Sequence, residues 1–213
     1  MPAPEVLLSF LAVSVLVTLA PGPDNLMVLG QSLSRGRLAG FGLALGCALG
    51  CFTHTLWATL GVSAVLVASP NAFLALKLAG AGYLLWLGIQ ALRSSGLSAG
   101  QHTTAGTRPL PWHRYLARGF IANAINPKVA LFFLAFLPQF VHPGQGTAGM
   151  QMVALGTLFA LQTVCVFGAI ALAAGSLGQI LQRRPASGLW LDRLAGAIFI
   201  GLAANLVLGG ERN

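Results

Sequence analysis

The sequence predicts an all-α integral membrane protein: six transmembrane helices arranged as two inverted three-helix repeats. Three observations predict it. Only 8% of the 213 residues are charged and 56% are hydrophobic, against roughly 25% charged in a soluble domain. The mean hydropathy of +0.79 leaves too little polar surface to face water. Six apolar runs alternate with polar punctuation, and arginine collects in every second connection. These features exclude a soluble enzyme, a disordered chain and a disulfide scaffold.

The first run extends from Val6 to about Gln31 and is interrupted by Pro21-Gly22-Pro23-Asp24-Asn25. The second runs from Leu38 to about Ala68, and Ser69-Pro70-Asn71 turns the chain into the third, Ala72 to Leu92. Residues 93–118 are rich in Ser, Gly, Thr, Pro, His and Arg and read as a linker. The fourth run is Gly119 to Val141, with Asn126-Pro127 inside it. The fifth is Gly149 to about Ile180, and Arg183-Arg184-Pro185 separates it from the sixth, Leu189 to Leu208. Each approaches or exceeds the roughly 20 residues that cross hydrocarbon. A barrel would need short alternating segments instead. The opening residues lack the basic start and small-residue cleavage site of a signal peptide, so the first run is expected to persist as a helix.

Arginine sets the orientation. Arg35, Arg37, Arg93, Arg108, Arg114, Arg118, Arg183 and Arg184 follow the first, third and fifth runs, while 69–71 and 142–148 hold none. The arginine-bearing loops belong in the cytoplasm, which places both termini in the periplasm. The net charge of +8 is explained by this asymmetry and not by nucleic acid.

Short matches recur in the same order in both halves. Lys77-Leu-Ala-Gly-Ala-Gly-Tyr-Leu parallels Arg193-Leu-Ala-Gly-Ala-Ile-Phe-Ile, and Ala44-Leu45-Gly46 parallels Ala154-Leu155-Gly156. The expected units are residues 1–92 and 119–213, joined by 93–118. Three helices per unit force opposite topologies, the architecture of many secondary transporters.

Asp24 reads as the one acid deep in an apolar run, and Lys128 is its basic counterpart. Asp24 lies 11 residues before Arg35, and Lys128 lies 10 after Arg118. At about 1.5 Å per residue both sit roughly 15 Å from the cytoplasmic edge. Buried charges of this kind are costly and usually functional. They are expected to pair, or to hold the two charged ends of one substrate. Pro21, Gly22 and Pro23 break the first helix and Pro127 the fourth, freeing backbone groups. Asn25, Asn123 and Asn126 add neutral donors and acceptors. Gly42, Gly46 and Gly50 form a packing stripe, with His54 next on the ridge as a second candidate, beside Asp24, for proton coupling. Gln162 and Thr163 are cavity candidates. Lys77 and Arg193 are left to snorkel.

Cys47, Cys51 and His54 share one helical face, the basis for an alternative reading as a divalent heavy-metal exporter. Packing is the favoured role for these cysteines. No phosphate loop, nucleophile–base pair or cofactor motif is present, so the expectation is a transporter without a cofactor and not an enzyme.

Taken together, Ala20-Pro-Gly-Pro-Asp-Asn25, Ser34-Arg-Gly-Arg37, Gly46-x3-Gly50-x3-His54-Thr55, Tyr83-Leu-Leu-Trp-Leu-Gly-Ile89 and Asn126-Pro-Lys128-Val-Ala-Leu-Phe-Phe resemble the LysE/RhtB family of amino-acid exporters, over nearly the whole chain. The resemblance implies a bacterial inner-membrane exporter of an amino acid or derivative, driven by the proton gradient. Asp24, Asn126, Pro127 and Lys128 carry the family pattern. The implied partners are a small-molecule substrate and membrane lipid, with homo-oligomerisation left open.

The arginine asymmetry makes a topological prediction. A reporter fused after Ser98 should signal from the cytoplasm and one fused after Asn213 from the periplasm. A cytoplasmic signal from the second fusion would break the six-helix topology.

Overall fold

The computed structural model describes residues 2–62, 70–94, 110–142, 144–183 and 186–208. The described secondary structure is helical throughout. The helices are α1 (Pro4–Leu19), α2 (Pro23–Arg35), α3 (Arg37–Trp57), α4 (Pro70–Arg93), α5 (Trp112–Ala124), α6 (Pro127–Leu131), α7 (Ala148–Arg183) and α8 (Ala186–Leu208). A π-helical turn, Ala58–Val62, extends α3, and α6 continues as a π turn, Phe132–Phe136, and a 3-10 turn, Leu137–Phe140.

Two apolar runs are each split at proline. Pro21 and Pro23 lack the N–H groups that would continue α1, so α2 starts afresh with Pro23 at its first turn and leaves α1 at 60°. Pro127 does the same to the fourth run, where α5 and the α6 segment meet at 51°. Among the described residues, four unbroken helices are long and apolar enough to cross a membrane, and the count reaches six when each bent pair is one span. The exposed side chains agree, because Leu38, Trp57, Leu78, Trp86, Leu161, Leu172, Trp190, Leu194 and Leu208 all face outward. In water that surface would aggregate; against lipid tails it is the expected one.

The boundaries differ from the sequence reading in physically informative ways. The fourth run begins as helix at Trp112, not Gly119, so residues 112–118 of the expected linker are helical. Pro111 supplies the extended residue before the first turn, and Tyr115 packs inward while charged neighbours stay out. The end of the second run near Ala68 lies outside the described residues, as do 95–109 of the linker. Asp24 is also not the only buried acid. Asp192, near the start of α8, is buried and accepts a hydrogen bond from Ser94 Oγ at 2.6 Å, tying the ends of α4 and α8 together.

Small residues set the tightest contacts. Gly42, Gly46 and Gly50 of α3 face α5. A Cβ at Gly42 would stand 3.1 Å from Tyr115 Cβ, one at Gly50 would stand 2.8 Å from Asn123 Cβ, and one at Gly46 would collide with the Leu116 carbonyl. The stripe is therefore a packing surface, as its spacing predicts. Gly88 of α4 and Gly196 of α8 approach each other's carbonyls in the same manner. Two apolar clusters result. One gathers Phe10, Phe132, Phe133, Phe136 and Phe159. The other gathers Val28, Leu43, Cys47, Tyr115, Phe167 and Ala171.

Gly46→Leu should abolish the folded bundle, because the collision is with backbone and cannot relax; overpacking alone costs about 1–3 kcal/mol. Gly30→Ala, with nothing within 4 Å of the added Cβ, should be silent. Size-exclusion profiles of the detergent-solubilised variants distinguish these outcomes.

Candidate functional site

The two helix breaks face one another. Breaking α1 leaves carbonyls near its C-terminus without the usual amide partners, and side chains take them. Asn25 Nδ2 donates to the Thr18 carbonyl at 2.7 Å, and Lys128 Nζ donates to the Ala20 carbonyl at 2.8 Å. The negative end of the α1 dipole thus meets an ammonium. Asp24 occupies the first turn of α2, where the dipole favours a carboxylate. The second break is closed with equal economy. Pro127 cannot donate to the Asn123 carbonyl four residues back; the Asn126 backbone N–H takes that oxygen at 2.8 Å, and His54 Nε2 joins it at 2.8 Å. A carbonyl only accepts, so Nε2 carries the hydrogen. Asn126 caps α6, its Oδ1 accepting from the Lys128 backbone N–H at 3.0 Å.

These arrangements place both charges in one buried site. Asp24 is 3% exposed and Lys128 6%. Asn123 Nδ2 donates to Asp24 Oδ2 at 2.8 Å, so α5 and α2 are joined through the carboxylate. Lys128 Nζ also stands 5.7 Å from the centre of the Phe199 ring. Asp24 and Lys128 do not form the direct ion pair that was one of the two expectations for them; each is engaged by other groups. Asp24, Asn25, Asn123 and Lys128 line one cavity together with Val17, Thr18, Val129, Phe159, Thr163 and Phe167. Its free space is about 10 Å³, roughly the room of one water molecule.

Several polar atoms around this cavity have no partner among the described residues. They are Asp24 Oδ1, Asn123 Oδ1, Asn126 Nδ2 and Gln162 Oε1. Buried polar atoms are ordinarily satisfied; Ser14 Oγ, Gln31 Oε1, Thr59 Oγ1 and His142 Nδ1 are unpartnered as well, but the four here stand with two buried charges, an arrangement suited to a polar guest. Lys128 adds to them: an ammonium carries three hydrogens, and one is committed.

Not every residue singled out in the sequence lines the cavity. Asn126 and Pro127 shape the break, and Pro21, Gly22 and Pro23 shape the other. A Cβ on Gly22 would stand 3.0 Å from Lys128 Nζ, so Gly22 leaves room for the ammonium. His54 reaches Asp24 only through Asn123. Thr163 lines the cavity, and Gln162 braces it by donating to Thr18 Oγ1 at 2.8 Å. Thr18 itself escaped the sequence reading. Its signal was present: Ser14 and Thr18 are spaced by four in an apolar run and share the buried face of α1.

The metal alternative has no cage to stand on. Among the described residues no three His, Cys, Asp or Glu side chains converge on a point. Cys51 Sγ donates to the Cys47 carbonyl at 3.3 Å, and both thiols are packed in the interior.

Residues 15–210 match the family described as LysE type translocator. A relative described as an uncharacterized membrane protein of Pseudomonas aeruginosa is 32% identical over 194 residues, covering 90% of each chain. A second of the same description from Vibrio cholerae is 31% identical over 197 residues, covering 92% of this chain and 94% of the relative. The leucine efflux protein of Salmonella typhimurium is 27% identical over 198 residues, covering 93% of this chain and 92% of the relative. No solved structure matches. The chain belongs to the LysE type translocator family; it is a multi-pass membrane transporter and not an enzyme.

Because Cys47 and Cys51 serve packing, Cys47→Ala combined with Cys51→Ala should retain transport. The expected cost is about 1 kcal/mol of stability per site. A correctly inserted double variant without transport would return the thiols to the mechanism.

Proposed function

We propose that this translocator exports a small, neutral amino acid as its zwitterion from the cytoplasm across the bacterial inner membrane, coupled to inward proton movement. One observation carries the reading: a carboxylate and an ammonium line one membrane-buried cavity without pairing, each with unused hydrogen-bonding capacity. A zwitterion supplies the complementary ends. Asp24 Oδ1 and Asn123 Oδ1 are acceptors without donors, suited to a substrate ammonium. Lys128 and Asn126 Nδ2 are donors with hydrogens to spare, suited to a carboxylate. Val17, Val129, Phe159 and Phe167 complete the lining and suit an aliphatic side chain better than a charged one. The efflux activity named for the Salmonella relative is consistent with such a substrate.

The cavity's free space is far below the roughly 300 Å³ of an ordinary ligand pocket. Substrate binding therefore needs the walls to part, as alternating access requires. The two broken spans suit that movement as the matching elements of an inverted repeat. Pro23 and Pro127 each open a half-helix, and the charged residue follows at the next position in both. Asp24 is assigned the coupling proton, with His54 connected to it through Asn123. The arginine asymmetry supports periplasmic termini.

Removing one charge leaves the other buried alone, at a cost of roughly 3–5 kcal/mol. Asp24→Asn and Lys128→Met should each abolish amino-acid efflux from cells expressing the protein. The double variant should insert better than either single one and still not transport. Parental efflux from normally inserted Asp24→Asn would refute the assignment.

A further inference from the structure

Thr18 departs from the commonest use of a helical hydroxyl in this bundle. Unlike Ser14 and Thr59, whose hydroxyls are buried without a partner among the described residues, it is held by a side chain from another helix. Ser32, Ser34, Thr55, Thr157 and Thr163 each donate to the carbonyl four residues back, on Val28, Gly30, Cys51, Val153 and Phe159. That is the ordinary habit of a helical hydroxyl. Thr18 makes no such bond to Ser14. Its Oγ1 instead accepts from Gln162 Nε2 at 2.8 Å, across the α1–α7 contact.

Gln162 commits both amide hydrogens, the second to Thr163 Oγ1 at 3.1 Å. Its Oε1 is left buried without a partner, a desolvation cost that calls for an explanation. The reverse orientation of the amide is disfavoured. It would set Oε1 against the Thr163 oxygen, whose only hydrogen is already on the Phe159 carbonyl at 2.8 Å. Thr163 therefore fixes Gln162, and Gln162 fixes Thr18 as an acceptor. A hydroxyl carries one hydrogen, and the one on Thr18 remains uncommitted on a residue that lines the cavity. The same turn of α1 holds the Ala20 carbonyl on which Lys128 Nζ rests.

We propose that Thr18, oriented by Gln162, donates its hydroxyl hydrogen to the substrate carboxylate alongside Lys128, and so selects a free carboxylate over its amide. This rests on the amino-acid exporter reading above and assigns that site a second carboxylate donor. A carboxylate accepts at both oxygens. A carboxamide has one accepting oxygen and would turn its NH2 toward one of the two donors. Gln162 acts through Thr18 as a positioning residue.

The test is isothermal titration of the full-length protein in lipid nanodiscs with L-leucine and with L-leucinamide. The parental protein should prefer leucine. Thr18→Val keeps the shape and removes the hydroxyl. It should weaken leucine binding roughly ten- to a hundredfold, the usual worth of a hydrogen bond to a charged group. It should weaken leucinamide binding far less, so the preference narrows. Thr18→Ser should restore both affinity and preference. Gln162→Leu should copy Thr18→Val, because Thr18 is then free to turn its hydrogen to the Ser14 carbonyl. Parental leucine affinity in folded Thr18→Val overturns the proposal, and so does an equal loss for both ligands, which marks a packing role. If the parental protein does not bind leucine, the series is repeated with the common amino acid it binds and the amide of that acid; if it binds none of them, the exporter reading falls and takes this one with it.

Discussion

Hydrocarbon offers no water to a backbone group that loses its helical partner, and most of the site follows from that constraint. Prolines at 21, 23 and 127 break two spans deep in the bundle, and side chains join the backbone in closing the breaks. Asn25 and Lys128 take carbonyls of α1, His54 takes the Asn123 carbonyl, and Asn126 caps the start of α6. The residues that repair the breaks are largely those that line or brace the cavity. Repair also brings the charges together. Lys128 reaches Ala20 because α1 ends there, and Asp24 stands at the start of the next half-helix. A continuous helix would have offered neither an exposed carbonyl nor a favourable place for an acid.

The repair is incomplete, and the shortfall is informative. Orphaned acceptors lie on Asp24 and Asn123, and orphaned atoms on Asn126 and Gln162. A bundle selected for stability alone would replace them with apolar side chains, since buried polar groups are costly when unsatisfied. Their retention around one small cavity fits a protein that must receive and release a polar guest. Glycine contributes from the other side: the close α3–α5 contact brings Asn123 and His54 within reach of each other, and it exists because Gly46 and Gly50 leave room.

Much of this was legible in the sequence because the responsible signals are local. Proline inside an apolar run, a charge set 10 or 11 residues from a marking arginine, and glycines spaced by four each carry their meaning within a short stretch of chain. The remainder depended on contacts between distant segments. Thr18 and Gln162 are 144 positions apart, and neither looks unusual alone. Asp192 reads as a helix-end acid until Ser94 is seen to cover it. The start of α5 at Trp112 was hidden by a polar composition that belongs to one face of the helix. The π and 3-10 turns through Phe132–Phe140 are marked in the sequence by Pro138, which lacks the N–H that would continue the helix and whose effect on the turn before it the sequence reading did not take up.

The central claim is that one cavity presents a carboxylate and an ammonium that are not committed to each other. It is tested most directly by measuring which charges a ligand must carry. Calorimetric titration of the protein in nanodiscs with leucine, with 3-methylbutylamine and with 4-methylpentanoate separates the two ends of the substrate while keeping its side chain. Binding of leucine, with each singly charged analogue weaker by at least roughly tenfold, about 1.4 kcal/mol, is the expected result. Equal binding of leucine and either analogue would contradict the account, since one of the two buried charges would then have no part in recognition.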